Sequence, residues 1–388
     1  MRIAIVSDVY FPRVNGVSTS IETFHRELVK AGVAASLLCP AYGADVPLPD
    51  VLRVPSRPVP RDPEDRLMSY RAARRFDTRL GQEGVSLVHV QTPFVAHYAG
   101  MHLARSLGVP LVTTYHTLFE EYLHHYLPMV PRRVLQGLAR HISRTQCNAA
   151  DHVVVPSAAM RERLAAYGVT TPMTVLPTGV PTEQFARGEG GRFRAAHGIA
   201  PERPVALFVG RVAFEKNIGF LLQMVGYARK RCPDLLLVIT GEGPARSELQ
   251  AQARREGLAD AVRFVDYLDR RQDLPDCYAA ASAFVFASRT ETQGLVLLEA
   301  MAAGTPVVAL AAMGTTDILA PERGAVIAPD DVAGFAQCLT DLLRDPVRRE
   351  TLSHEARAYA ATWSDRAMAL RMQSLYQALT GSSEYAHA

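Results

Sequence analysis

The sequence predicts an α/β protein built from two doubly wound domains, and three observations carry that reading. Short apolar runs rich in β-branched residues alternate with segments of helical spacing. The alternation comes as two separate series. Between them, near 178–200, "PTGVPTEQFARGEGG" collects proline, threonine and glycine. Continuously apolar strands interleaved with helices belong to parallel sheets covered on both faces. A chain of 388 residues also exceeds one average domain and fits two of roughly 150–200 residues.

In chain order, "RIAIVSD" (2–8), "SLLCP" (36–40), "SLVHVQT" (86–92), "PLVTTYH" (110–116) and "HVVVPS" (152–157) read as buried strands. Helical spacing falls between them at 17–31, 96–107 and 132–147. The second series runs "VALFVGR" (205–211), "LLLVITGEG" (235–243), "VRFVDYL" (262–268), "AFVFAS" (283–288), "TPVVAL" (305–310) and "GAVIAP" (324–329). Helical patterns at 217–231, 246–256, 294–303 and 332–344 separate these strands. The tail "TGSSEYAHA" reads as frayed.

Hydrophobic residues make up 48% and charged residues 21%, enough to bury sizeable cores. The net charge of +3 is too small to point to nucleic acid. Its distribution is uneven: residues 1–180 carry 19 basic and 14 acidic side chains, the remainder 23 and 25. A basic first half suits an anionic partner such as lipid head groups; solvated arginines fit the same numbers. Five scattered cysteines without C-x-x-C read as reduced thiols of a cytoplasmic protein. No run reaches the ~20 apolar residues of a membrane span, so the expectation is a protein lying on a membrane at most. No H-E-x-x-H, cysteine pair or D-x-D offers a metal site.

Ligands of open α/β sheets sit beyond the carboxyl ends of strands, and the chemistry-bearing residues fall there. In "SDVYFPRVNGVS" (7–18) a strand gives way to Asn15-Gly16 and a helix start near Val17–Ser20. Gly16 lets the backbone approach a phosphate; a plain βα turn is the rival reading. "GEGPAR" (241–246) lacks the third glycine of a dinucleotide fingerprint. In "VGRVAFEKN" (209–217), Arg211 and Lys216 can reach one point above a strand end. A guanidinium fork and a lysine point charge suit a diphosphate, and lysine occurs only three times in the chain. Two solvated loop cations would look the same.

The stretch "SRTETQGLVLLEAMAAGTPVVAL" (288–310) places Glu291 in a strand–helix loop and Glu299 inside an apolar helix. Gln293, Gly294 and Leu295 offer backbone N–H groups at the helix start. A buried carboxylate costs several kcal/mol unless hydrogen-bonded. Two acids holding a nucleotide sugar answer that cost, Glu291 at the sugar and Glu299 at the ribose. A helix-dipole acid plus a Glu–Arg pair is the alternative. His116 closes a strand and could meet a sugar or a leaving phosphate, or be a satisfied core histidine. Residues 129–145 put Val134, Leu135, Leu138 and Ile142 at helical spacing among Arg132, Arg133, Arg140 and Arg144. That fits an interfacial helix on anionic lipid or an ordinary surface helix.

Together "NGVS" (15–18), "TYHT" (114–117), "GRVAFEKN" (210–217) and Glu-x7-Glu from Glu291 to Glu299 followed by "AMAAGTPVVA" resemble the retaining glycosyltransferases of family 4. The resemblance runs from Met1 to "WSDRAMALRM" near 363–372. It implies the GT-B fold, two Rossmann-like domains facing a central cleft: an acceptor domain over 1–180, a nucleotide-sugar domain over 200–360, and a final helix after 361 crossing back to the first. It implies that Gly16 lies against the donor diphosphate, that Arg211 and Lys216 neutralise it in place of a metal, and that His116 sits near the reacting sugar. It gives the sugar to Glu291 and 292–295, the ribose to Glu299, and the base to the vicinity of Tyr267–Leu268. The expected donor is a nucleotide-diphosphate hexose and no cofactor is expected. "HVQTPFVAHYAG" and "TYHTLFEEYLHHY" look most like the branch that glycosylates membrane lipids of the diacylglycerol type. Phosphatidylinositol or a soluble sugar is the alternative acceptor; a nucleotide-sugar epimerase and a non-catalytic nucleotide-sugar binder are the alternative functions.

Overall fold

A computed structural model describes residues 1–43, 48–59, 62–116 and 132–381. The chain divides into two compact units. One comprises Met1–Gly179 with the helix Asp365–Gly381, the other Val180–Ser364.

The first unit is built on strands β1 (Arg2–Val6), β2 (Ala34–Pro40), β3 (Val51–Val54), β4 (Ser56–Val59), β5 (Asp62–Met68), β6 (Leu87–Val90), β7 (Leu111–Thr114), β8 (His152–Val155) and β9 (Met173–Val175). Seven of them form a parallel sheet in the order β3-β2-β1-β6-β7-β8-β9, while β4 and β5 pair antiparallel. β1 shows why its sequence is apolar throughout. Successive side chains of a strand point to opposite faces. Ile3 and Ile5 pack with Leu28, Met368, Met372 and Tyr376 on one face. Ala4 and Val6 pack with Ala96, Ala99 and Leu103 on the other. Both faces are buried, so alternation with polar residues is absent.

The second unit holds β10 (Val205–Val209), β11 (Leu236–Thr240), β12 (Val262–Val265), β13 (Ala283–Phe286), β14 (Val307–Ala309) and β15 (Ala325–Ile327). They form one parallel sheet in the order β12-β11-β10-β13-β14-β15. In each sheet the chain builds outward in one direction and then restarts beside the first strand. The order therefore reverses between β1 and β6 in one unit and between β10 and β13 in the other.

Strands β3, β4, β5 and β9 are absent from the sequence-based reading. β3 is a four-residue edge segment that contains Arg53, and β5 is mostly polar; neither has the long apolar run that marks a central strand. The helix in "SRTETQGLVLL" begins at Leu295, with Gly294 as its N-cap, one to two residues later than the sequence suggests. In the first unit the helix Gly16–Lys30 begins at Gly16 rather than at Val17–Ser20.

The helix Asp365–Gly381 is fastened to the first unit by polar contacts as well as packing. Arg26 donates to Asp365 at 2.8 Å, and Arg371 donates to the carbonyl of Val175 at 3.1 Å. Deeper in, the Tyr376 hydroxyl lies 2.6 Å from His89 Nδ1, and His89 Nε2 lies 2.7 Å from the Thr114 hydroxyl. Burial holds the His89 pKa down to about 3. A neutral imidazole has one donor and one acceptor, and here both are used. Tyr376→Phe strands one ring nitrogen and should lower unfolding stability by about 1–3 kcal/mol. A urea titration with an unchanged midpoint would show that the contact contributes nothing.

Candidate active site

The second unit's switch point lies between β10 and β13, and ligands of open α/β sheets bind at such points. The loop after β10 carries Arg211 and Lys216, and the loop after β13 carries Glu291. Lys216 Nζ and the Glu291 carboxylate form an ion pair there. Seventy-odd residues of intervening chain do not matter, because two further contacts bind the loops together. The Asn217 side chain donates to the carbonyl of Ala287 at 3.1 Å, and Ser288 Oγ donates to the carbonyl of Glu215 at 3.3 Å. Asn217 adopts a left-handed conformation with φ 56°, one that Asn tolerates better than most residues. It turns the short 3₁₀ segment Phe214–Lys216 into the helix Ile218–Ala228.

The glycines of "GEGPAR" serve this geometry. Gly241 and Gly243 have φ of +129° and +156°, and a Cβ on either would stand 2.1 Å from the Gly210 carbonyl or 2.3 Å from that of Val212. Without side chains the two loops pair directly: Val212 N–H donates to Glu242 at 2.8 Å and Ala245 N–H to Val212 at 3.0 Å. That pairing holds up the Arg211 segment. Arg211 itself is exposed, and its guanidinium makes no hydrogen bond among the described residues.

Beyond Glu291, Gly294 has φ +94°, and the Gly314 N–H donates to the Glu291 carbonyl at 2.9 Å. Gln293 is buried and Leu295 partly so. The first N–H groups of the helix Leu295–Ala302 have no intrahelical acceptor. Glu299, one turn on, is buried and has two partners. Arg270 forms an ion pair with one oxygen, and the Tyr278 hydroxyl donates to the other at 2.8 Å. The reading of Glu299 as a ribose holder left this Glu–Arg pair as its rival, and the pair is present. Arg270 lies three residues past Tyr267 and two past Leu268. Tyr267 is exposed and Leu268 partly buried, in the loop after β12. Sequence reasoning missed Arg270 and Tyr278; an acid inside an apolar helix signals that some partner exists but not where it comes from.

In the first unit the candidates flank the β1/β6 switch point. Gly16 is exposed, with open space where a Cβ would stand. The helix start beside it offers less than the sequence suggests. The Asn15 side chain already accepts from the N–H groups of Val17 at 3.0 Å and Ser18 at 2.9 Å. His116 follows β7, its Nε2 lying 2.9 Å from Gln91 Oε1, and burial lowers its pKa to about 4. Asp8, at the end of β1, accepts from Thr92 Oγ1 at 2.7 Å and from the Ala96 N–H at 3.0 Å. Burial raises its pKa to about 6. Thr117 of "TYHT", the segment 118–126 and residues 129–131 of the basic helix lie outside the described residues. In the helix Arg132–Cys147, Leu135 and Ala139 face inward, whereas Val134 (59% exposed), Leu138 (47%) and Ile142 (38%) face outward.

Two parallel α/β units, one with a lysine–carboxylate pair at its switch point, are the architecture of GT-B glycosyltransferases. Comparison with known proteins gives the family. The description "Glycosyltransferase Family 4" matches residues 14–184 and "Glycosyl transferases group 1" matches 191–359. The alpha-monoglucosyldiacylglycerol synthase of Streptococcus pneumoniae is 33% identical over 80% of this chain and 71% of that protein. A GDP-mannose-dependent alpha-mannosyltransferase of Mycobacterium tuberculosis is 31% identical over 93% and 90%. Sucrose-phosphate synthase from Thermosynechococcus elongatus superposes with a TM-score of 0.80 at 22% identity, over 98% of this chain and 99% of that one. The chain belongs to glycosyltransferase family 4 and is a glycosyltransferase.

Two outcomes follow from this geometry. Asn217→Gly keeps the left-handed backbone but deletes the bond to Ala287. It should lower unfolding stability by about 1 kcal/mol, measured by calorimetry. Unchanged stability would mean that this link does not hold the two loops together. The second concerns pH. His89 and His116 hold depressed pKa values of about 3 and about 4. Below about 6.5 the unfolded chain takes up protons that the folded rings refuse. The stability they confer is complete above that pH and drains away as pH falls through their folded values. Asp8, raised to about 6, acts oppositely, its contribution being lost as pH rises through 6. The drop in melting temperature from pH 7 to pH 5 should therefore be smaller in His116→Gln than in the native chain, and an equal drop would refute the assignment.

Proposed function

We propose that this glycosyltransferase retains configuration, moving a hexose from a nucleotide-diphosphate sugar to the hydroxyl of a membrane lipid such as diacylglycerol, forming an α-glycosidic bond without a metal. The observation that carries the reading is the pairing of Lys216 with Glu291 at the β10/β13 switch point, with Arg211 on the same loop as Lys216. Arg211 is exposed there with its guanidinium donors uncommitted to any described residue. Lys216 and Glu291 are within reach of each other and partly open to solvent.

In the proposed reaction the bond from the sugar's anomeric carbon to the diphosphate oxygen breaks, and its electron pair leaves with the phosphate. The sugar becomes oxocarbenium-like. Arg211 and Lys216 neutralise the growing negative charge, as preorganised cations do in a site of lowered dielectric. The acceptor oxygen bonds to the anomeric carbon from the face the phosphate leaves, and its proton passes to a phosphate oxygen. Glu291 and 292–295 position the sugar; no covalent role is given to Glu291. Gly16 and His116 are assigned to the diphosphate and the reacting sugar on family resemblance alone. The name of the Mycobacterium tuberculosis relative supports a nucleotide sugar as donor, and that of the Streptococcus pneumoniae relative supports a diacylglycerol lipid as acceptor.

The helix Arg132–Cys147 supports the lipid. Its outward stripe Val134, Leu138, Ile142 stands beside exposed Arg133, Arg140 and Arg144, and its sequence contains no acidic residue. An apolar stripe flanked by cations suits the interface of an anionic bilayer. Among the described residues no helix is long and apolar enough to cross one.

Incubation with a panel of nucleotide sugars and a lipid extract should yield a glycolipid identifiable by mass. A soluble glycoside alone would move the acceptor class, and free nucleotide released without acceptor would favour an epimerase. Lys216→Ala and Glu291→Ala should each lower turnover 10²–10³-fold; full activity in either would overturn the site. Vesicles of phosphatidylglycerol should carry the native chain in flotation at low salt. Leu138→Glu should stay behind, and equal flotation would exclude this helix as the contact.

A further inference from the structure

The ion pair between Arg270 and Glu299 joins the loop after β12 to the helix after β13. Glu299 lies almost wholly inside, its side chain 2% exposed, while Arg270 remains 31% exposed. The arginine is fixed from several sides. Its carbonyl accepts from Gln184 Nε2 at 2.7 Å. Asp269 caps the turn that follows, accepting from the N–H groups of Arg271 at 2.9 Å and Gln272 at 3.0 Å. The guanidinium lies over the Phe185 ring, 5.8 Å from its centroid. Tyr278 closes the far side of the carboxylate.

A guanidinium has five N–H donors in a rigid fork. Arg270 commits one of them, from Nη2, to Glu299. Its remaining donors have no acceptor among the described residues, at a place partly open to solvent. An acid that accepts and an arginine that donates, held rigidly side by side, suit a group that does both. A vicinal diol is such a group: one hydroxyl gives its proton to the carboxylate, and a hydroxyl oxygen receives an N–H from the arginine.

We propose that Arg270 is a positioning residue for the donor nucleotide, holding Glu299 in place as a hydrogen-bond acceptor for the ribose and tying it to the base-side loop Tyr267–Leu268. The proposal rests on the reading of Glu299 as the ribose holder. It assigns ribose selectivity to the pair rather than to the acid alone. The loop that meets the base and the acid that meets the sugar become one unit, so an error at one end is felt at the other.

The test uses the full chain with UDP, GDP and ADP and their 2′-deoxy and 3′-deoxy analogues, with affinities from calorimetry. The native chain should bind one of the ribonucleotides at least tenfold tighter than one of its deoxy analogues. Glu299→Gln should remove that preference; if the preference survives, the ribose reading of Glu299 is wrong and the proposal falls with it. With that reading intact, Arg270→Leu should weaken the ribonucleotide 10- to 100-fold while changing the deoxy analogue less than threefold. Equal weakening of both would make Arg270 merely structural and overturn the proposal, as would no weakening of either. Arg270→Leu leaves an unpaired buried acid and could fail to fold. Arg270→Lys, which keeps the charge but not the fork, should then show an intermediate preference. A preference as strong as the native one would count against the fork.

Discussion

A parallel sheet covered on both faces leaves no room for charge except beyond its strand ends. Buried strand positions here are apolar on both sides, as Ile3–Val6 and Val205–Val209 show, because an unpaired polar group in either layer would cost several kcal/mol. Charge is therefore driven to the loops, and the strand order decides which loops meet. With β10 and β13 adjacent, the segments 210–217 and 287–294 diverge from one point, and the meeting of Lys216 with Glu291 follows from topology. Side chains then refine what topology permits: Asn217 and Ser288 set the distance, and Gly241 and Gly243 let the backbones touch.

The two ion pairs of the second unit differ in burial, and the difference decides what each is suited for. Lys216 and Glu291 are both 17% exposed. Each therefore keeps a little access to solvent, and neither is fully enclosed. Glu299 is far more enclosed. Losing one partner of a buried pair costs about 3–5 kcal/mol, because the other charge is left uncompensated. Arg270 is thus a poor candidate for displacement and a good one for a fixed support.

What was legible in the sequence follows the same division. The two series of strands, the glycosyltransferase motifs and the strand-end position of Arg211, Lys216 and Glu291 could be read because each is local: a few apolar residues, then a charged one. Arg270 could not, since only the packing of the loop after β12 against the helix Leu295–Ala302 brings it to Glu299. β3 and β5 escaped for lack of apolar pattern, and the meaning of "GEGPAR" escaped because its glycines answer to a neighbouring backbone thirty residues away. The helix at Gly16 was expected later, near Val17–Ser20, and Asn15's consumption of two N–H groups was hidden, although the Asn-x-x-Ser spacing of that cap stands in the sequence.

The first unit solves its strand-end problem differently. His89, Gln91, Thr114 and His116 lie two apart on neighbouring strands, so they share one face of the sheet. They pair as His89 with Thr114 and Gln91 with His116. Burial keeps both imidazoles neutral near pH 7 and shifts the Asp8 carboxyl toward its neutral form. The two imidazoles thus meet their hydrogen-bonding needs within the unit and add no charge near pH 7, although the unit's sequence is basic. Among the described residues the second unit differs at its own switch point, where the Arg211 guanidinium stands exposed with no hydrogen bond and Lys216 is held by a carboxylate. One unit settles its strand-end polarity with neutral pairs, the other with charge.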